Sequence, residues 1–558
     1  MEAAMAGAVA PDEVEAVVGG GELVGPFDVL GLLGAVARVG RRVATTTAPR
    51  RLSELTEEWG RIALGRSEVS PEPRDWRFEN RAWQEHPAYR RLAQSYLAWT
   101  DTLLQLVDDA RLDWRTEERA RFAIRLLTSA LAPTNYFPLN PEALERAWET
   151  AGRSVWRGLR NVGRDVLDNR GLPRSVTPGA YEVGRNLAMT PGAVVYADEV
   201  CELIQYTPTT AMVRDRPVVV VPPQINKYYV MDLAPGRSFV EYAVAQGFQT
   251  FAVSWRNPTA AQRDWGLATY LDALEAAVET TAEIAGSDDV SAVGVCAGGL
   301  TTAALLGRLA FQCRQLIHSA TFAVTQLDYG VPSTIGMLGI PDVMDRAARS
   351  SQRRGTLDSR ALGALFSMLR PNDLIWNYWV NNNLLGEDPP AFDVLAWNAD
   401  GTSLPAELHA EFLRVFQHNA LARSDLTVND CPIDLQKVGC DVLSVGARND
   451  HLVPWQACFA TTNLFGGRSD FVLSSSGHIQ CLVNPPGSKK MSTTTGPVNG
   501  RDPGEWLDQA TETPGVWWER WAEWQGARSG GEHGAPSQLG SLCHGAGPPA
   551  PGRYVHNE

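Results

Sequence analysis

The apolar positions along this chain change period once, and the change divides it. From about Pro73 to Asn169 they recur at helical spacing, as in Ala120 to Leu131 and Pro141 to Leu159, which predicts a helical amino-terminal region over residues 1–178. After about Val176, short β-branched runs alternate with amphipathic stretches, the pattern of a mostly parallel sheet with crossover helices. The clearest strands are Val218 to Val221, Thr250 to Ser254, Ser291 to Val295, Asp441 to Val445 and Phe471 to Leu473. Between them, Phe239 to Gln246, Leu267 to Ala285 and Leu300 to Phe311 read as helices. The fold class is therefore α/β, with a catalytic domain over 179–528.

Two stretches break the alternation. Residues 323–422 are mainly helical, carry the aromatic run Leu374 to Val380, and fall between two strands, so they read as a cap above the carboxyl edge of the sheet. Beyond Arg528 the chain is rich in Gly, Pro and Ser, and residues 529–558 are expected to form a flexible tail.

Composition narrows the function classes. A chain of 558 residues, 44% hydrophobic and 20% charged, is folded and exceeds one core. A net charge of -14 excludes non-specific attraction to nucleic acid, and any anionic ligand must be met by locally placed basic residues. Met1 to Gly20 has neither a basic n-region nor an apolar h-region, and no run of about eighteen apolar residues occurs, so a cytoplasmic protein without a membrane span is expected. The eight cysteines include no C-x-x-C pair, so no metal or redox site is expected, and most should be buried thiols.

One cysteine has a special setting. Gly294-Val295-Cys296-Ala297-Gly298-Gly299 joins a predicted strand to a predicted helix, the context of a nucleophile elbow with Cys in place of Ser. The helix start offers free N–H groups and a partial positive charge, which favour a thiolate and an oxyanion, with the Ala297 N–H as first oxyanion donor. Such a site needs an acid and then a histidine after later strands. Asp450 follows Asp441 to Val445, and His478 follows Phe471 to Leu473. Asp450 has a rival reading as a turn residue, and His451 is the rival histidine; His478 is preferred because His451 adjoins Asp450 in one loop. His318, inside a strand, reads as a packing residue.

These features belong to a wider set. Val221-Pro222-Pro223-Gln224-Ile225-Asn226-Lys227-Tyr228-Tyr229, Val253-Ser254-Trp255-Arg256-Asn257-Pro258, the glycine box around Cys296, Asp450-His451-Leu452-Val453-Pro454-Trp455 and Ser476-Gly477-His478-Ile479 occur in an order that resembles polyhydroxyalkanoate synthases. Arg370 to Trp376, Pro389 to Trp397 and the ending Pro551 to His556 resemble the class II branch, which prefers medium-chain substrates. The resemblance implies an α/β-hydrolase fold with a helical cap and an acyltransferase that polymerises (R)-3-hydroxyacyl-CoA into polyester, releasing coenzyme A. The thioester is the substrate, and no cofactor is implied. Cys296 would carry the acyl group and His478 accept its proton; Asp450 would orient His478 or activate the substrate hydroxyl. A second oxyanion donor would lie near Ile225. A homodimer at a cytoplasmic polyester granule is also implied.

Granule contact gives two segments alternative readings. Phe27 to Val43, apolar on one side and ending in Arg38, Arg41 and Arg42, could rest on a membrane or granule, but packing on the protein is preferred. Trp517, Trp518, Trp521 and Trp524 likewise read as core rather than an exposed granule patch. The rival functions are short- or mixed-chain synthesis, a cysteine-dependent esterase or depolymerase, and an inactive granule scaffold.

Overall fold

The computed structural model describes residues 32–73, 75–339, 341–498 and 502–556. They divide into a helical unit, residues up to 178 with 360–391, and a sheet unit, residues 179–359 with 392 onward.

The helical unit contains α1 (Leu32–Val43), α2 (Ala48–Ala63), α3 (Pro87–Ala110) and α4 (Trp114–Ala130). Ala35, Val39 and Val43 recur at helical spacing on α1 and bury against Val107 and Ala110 of α3 and Ala120 and Ile124 of α4. This is the packing expected for Phe27 to Val43, whose first residues, 27–31, lie outside the described residues. Helix α5 (Arg153–Asp168) has the reverse arrangement. It buries Ser154, Gly158 and Asp165 and leaves Trp156 and Leu167 73% and 84% exposed.

Residues 360–391 explain that inversion, and they divide the expected cap. Asn161 on α5 donates to the Asn382 carbonyl at 2.8 Å, and the Asn383 amide meets the Asp165 carboxylate at 3.3 Å. Val380 and Leu384 pack on Ala143, while the Trp379 indole donates to the Asn135 carbonyl. The asparagines of this segment need polar partners, and α5 supplies them with a small and polar face. Only 323–359 and 392–422 of the predicted cap stay with the sheet unit.

The sheet has ten strands: β1 (Gly192–Ala197), β2 (Cys201–Tyr206), β3 (Val218–Val221), β4 (Thr250–Trp255), β5 (Val290–Val295), β6 (Ile317–Ala323), β7 (Asp441–Ala447), β8 (Ser469–Ser474), β9 (Ser492–Thr495) and β10 (Thr511–Pro514). Their spatial order is β1-β2-β4-β3-β5-β6-β7-β8-β9-β10. From β4 to β8 neighbours are parallel, and the two pairings at each edge, β1–β2 and β2–β4, β8–β9 and β9–β10, are antiparallel. The central runs are buried on both faces, hence the unbroken Val of β3 and the small and β-branched residues of β5. The strand order reverses between β3 and β5, and a crevice opens at the carboxyl ends of such strands. Crossing helices α6 (Leu267–Ala285) and α7 (Ala297–Phe311) follow β4 and β5.

Helix α8 (Trp517–Gly526) buries Trp517, Trp518 and Trp521 around Phe239, with ring centroids 5.3, 5.7 and 4.7 Å away. Trp524 is partly buried, donating to Asp470 at 2.9 Å beneath the Arg528 guanidinium. The aromatic face is core, as preferred. His318 differs from its expectation: it points off the sheet, 42% exposed, with Nδ1 3.5 Å from Asp289.

The tail differs too. Glu532–Gly534 pairs with Met212–Arg214, and the backbone of 547–550 bonds to β1, with Val194 N–H donating to Pro548 at 2.9 Å and Gly547 N–H to Val194 at 2.8 Å. An edge strand exposes a row of unpaired backbone groups, and this segment satisfies them. The glycines and prolines set a particular backbone path here rather than disorder.

Trp521→Ala should lower the stability of the sheet unit by about 3–5 kcal/mol, the usual cost of emptying a large core site. A denaturation series followed by circular dichroism measures it, and an unchanged midpoint would show that α8 is not part of the core.

Candidate active site

Cys296 is held between β5 and α7 in a backbone conformation that L-residues rarely adopt, φ +50° and ψ -122°. Such a conformation costs about 1–3 kcal/mol and persists only where its surroundings enforce it. The Cys296 N–H donates to Ala323 on β6 at 3.0 Å, and its carbonyl accepts from Gly299 N–H at 3.0 Å and the Thr325 hydroxyl at 3.2 Å. Gly298 then passes so close to β3 that a Cβ there would lie 2.3 Å from the Val221 carbonyl and 2.5 Å from that of Pro222. Only glycine permits this approach, which sets the elbow against the loop after β3 at the strand-order reversal.

Ala297 is the first residue of α7, where backbone N–H groups lack intrahelical partners. Ile225 lies in the facing loop. Its carbonyl accepts from Thr402 N–H at 3.2 Å, and the neighbouring Gln224 amide donates to Thr301 of α7 at 2.8 Å. Residues 397–402, part of the expected cap, therefore sit on this loop.

The acid and the histidine converge from the next strands. Asp450 follows β7 and His478 follows β8, and His478 Nδ1 lies 2.6 Å from Asp450 Oδ2. The other carboxylate oxygen accepts from the N–H groups of Leu452 and Val453 at 2.8 and 3.0 Å. Asp450 is thus both a turn residue and the histidine's partner, so its two readings combine. His451 contributes its carbonyl to the Thr334 hydroxyl at 2.6 Å, and His478 is the histidine paired with Asp450.

Electrostatics completes the constellation. Burial alone would lower the affinity of His478 for a proton, but the charge and hydrogen bond of Asp450, and then the hydrogen bond and charge of Cys296, outweigh it and raise the pKa to about 10. Cys296 is partly exposed, whereas Cys201, Cys431, Cys458 and Cys481 are buried, and burial pushes the thiols of Cys201, Cys458 and Cys481 up. Tyr329 is a neighbour that sequence reading did not single out. Its hydroxyl is pushed up by burial and by the charge of Cys296, and its N–H is held by the Asn419 side chain at 2.7 Å. Asn419 is 90 residues away in a left-handed turn, and nothing local in the sequence announces the pair. Among the described residues no cluster of three or more His, Cys, Asp or Glu side chains could hold a metal ion.

A raised histidine pKa stabilises the fold fully below its unfolded value of about 6.5, and that contribution disappears as pH climbs through about 10. Asp450→Asn should therefore lose much of the fall in unfolding midpoint that the wild type shows between these two pH values. Thermal unfolding of both proteins checks this, and parallel curves would contradict the pairing.

The chain as a whole is similar to known proteins. A family model described as the poly-beta-hydroxybutyrate polymerase (PhaC) N-terminus matches residues 74–243, and one for the alpha/beta hydrolase fold matches 217–485. Poly(3-hydroxyalkanoate) polymerase 1 of Ectopseudomonas oleovorans is 45% identical over 496 residues, covering 89% of both chains. Polymerase 2 of the same organism is 44% identical over 531 residues, 95% of this chain and 94% of the relative. The polymerase subunit PhaC of Cupriavidus necator is 37% identical, covering 91% and 87%. With this extent of identity added to the α/β-hydrolase sheet and its cysteine elbow, the chain belongs to the poly(3-hydroxyalkanoate) polymerase family.

Proposed function

We propose that this enzyme polymerises (R)-3-hydroxyacyl-CoA, favouring medium chains, through a covalent thioester on Cys296. The observation that carries the reading is a strained cysteine elbow paired with a buried His478–Asp450 couple. A protonated imidazole beside a thiol favours the thiolate, the attacking form. The thiolate adds to the thioester carbonyl, and the oxyanion is met by the Ala297 and Ile225 N–H groups. The carbon–sulfur bond to coenzyme A then breaks, and His478 gives its proton to the departing thiolate, leaving acyl-Cys296 and free coenzyme A. In the second half, the 3-hydroxyl of another unit or of the chain end attacks acyl-Cys296. His478 takes the hydroxyl proton, an ester forms, and the cysteine thiolate is released. Asp450 holds the imidazole in the orientation both halves need.

His478 and Asp450 are 5% and 8% exposed, so the couple is kept from water, which supports transfer to a hydroxyl over hydrolysis. Resemblance to the class II branch supports medium-chain preference. Granule association is supported by the exposed Trp156, Leu159 and Leu167 of α5 together with the exposed Arg153, Arg157, Arg160 and Arg164 of the same helix, apolar groups among cations suited to an insoluble polyester. No helix among the described residues is long and apolar enough to cross a membrane. A homodimer in the cytoplasm belongs to the same proposal.

Purified protein supplied with 3-hydroxyacyl-CoA of increasing chain length should release coenzyme A and deposit polyester, fastest with medium chains. Cys296→Ala should fold normally and release none. Free hydroxy acid as sole product would establish a hydrolase instead. Trp156→Asp combined with Leu159→Asp should leave release from soluble substrate unchanged while reducing co-sedimentation with polyester particles; equal sedimentation would remove this helix from the granule contact.

A further inference from the structure

Residues 547–556 do more than close the sheet edge. Glu202 on β2 is 3% exposed, and one of its carboxylate oxygens accepts from both Arg553 and Tyr554 N–H groups, at 2.9 and 3.0 Å. Gly552, at φ +81°, leads into this contact, and a Cβ there would fall 2.4 Å from the same oxygen. The Tyr554 hydroxyl donates to the Asp198 carbonyl, the Arg256 guanidinium lies 5.2 Å from its ring centroid, and Val555 is 2% exposed in the main core. Such a set of contacts fixes the Tyr554 backbone.

What that backbone meets is the loop after β3. Lys227, two residues beyond Ile225, is 2% exposed, and its ammonium donates to the Tyr554 carbonyl at 3.4 Å. A buried ammonium is costly without partners, so its position follows the groups that satisfy it. On the other side the Lys227 carbonyl accepts from the Trp397 indole at 2.9 Å, and Tyr229 donates to Asp400 at 2.9 Å. The loop is clamped between residues 397–402 and the chain end.

We propose that residues 547–556 form a strap that positions the loop carrying Ile225, with Lys227 as the positioning residue that transmits the strap's placement to the oxyanion donor. This rests on the covalent reading of Cys296 above. Among the described residues Asp450 and His478 bond to each other and to the Leu452 and Val453 N–H groups rather than to the strap, so its loss should weaken oxyanion stabilisation while sparing the nucleophile.

Two reactions of Cys296 separate these effects. Acylation by a thioester develops an oxyanion, whereas alkylation by iodoacetamide does not. Lys227→Met removes the ammonium at similar length, and Gly552→Val displaces the strap from Glu202; both are made in the full chain. The rate of Cys296 acylation by a 3-deoxy acyl-CoA, which cannot be extended, should fall about 10- to 100-fold in each, up to the lower end of the loss that removing one oxyanion donor causes. Alkylation should proceed at the wild-type rate. Wild-type acylation in both variants would overturn the strap, as would equal slowing of both reactions, which marks general loosening of the site. If wild-type Cys296 is never acylated yet coenzyme A is released, the covalent reading itself fails and the strap proposal with it.

Discussion

The close approach of the β5–α7 junction to the end of β3 is the constraint on which the site depends. A left-handed cysteine with an α-helix starting at the next residue would relax if it were free to do so. Bonds to Ala323 and Thr325 and the contact of Gly298 with the Val221 and Pro222 carbonyls prevent this. Because β3 and β5 are neighbours where the strand order reverses, the same contact brings a helix amino terminus and an irregular loop together at one point. The proposed nucleophile and the backbone donors proposed for its oxyanion are therefore brought together by a single packing event.

The acid and the histidine of the proposed site need no such strain. Parallel strands β7 and β8 end side by side, so Asp450 and His478, each just past a strand end, meet at 2.6 Å through ordinary loop geometry. Their coupling is electrostatic. A buried imidazole would by itself shed its proton, and the adjacent carboxylate reverses that tendency. In the proposed reaction this buried charged pair, rather than an exposed histidine, would serve the acyl exchange between thiol and alcohol away from water.

Much of this was legible in the sequence because it is local. Val218–Val221 and Leu267–Ala285 appear with the bounds their apolar patterns predict, and the glycine box announces the elbow. Asp450 and His478 were found from chain order and strand position. The losses have physical causes. Strands β1, β9 and β10 lack the long buried runs of a central parallel strand, β2 is buried but carries the polar Glu202 and Gln205 among its apolar residues, and the split of the expected cap depends on asparagines whose partners lie more than 200 residues away. Tyr329 is placed by Asn419, another long-range bond. In the tail, glycine and proline signal both disorder and a constrained backbone path; only the groups they meet, β1 and Glu202, distinguish the two.

The most direct test of the account is the mass of the Cys296 peptide after brief exposure to an acyl-CoA lacking the 3-hydroxyl, quenched in acid. The account predicts one acyl group, labile to hydroxylamine, on Cys296 and on none of the other seven cysteines. Turnover of the natural substrate with no acyl group ever found on Cys296, or with the group on another residue, would contradict it.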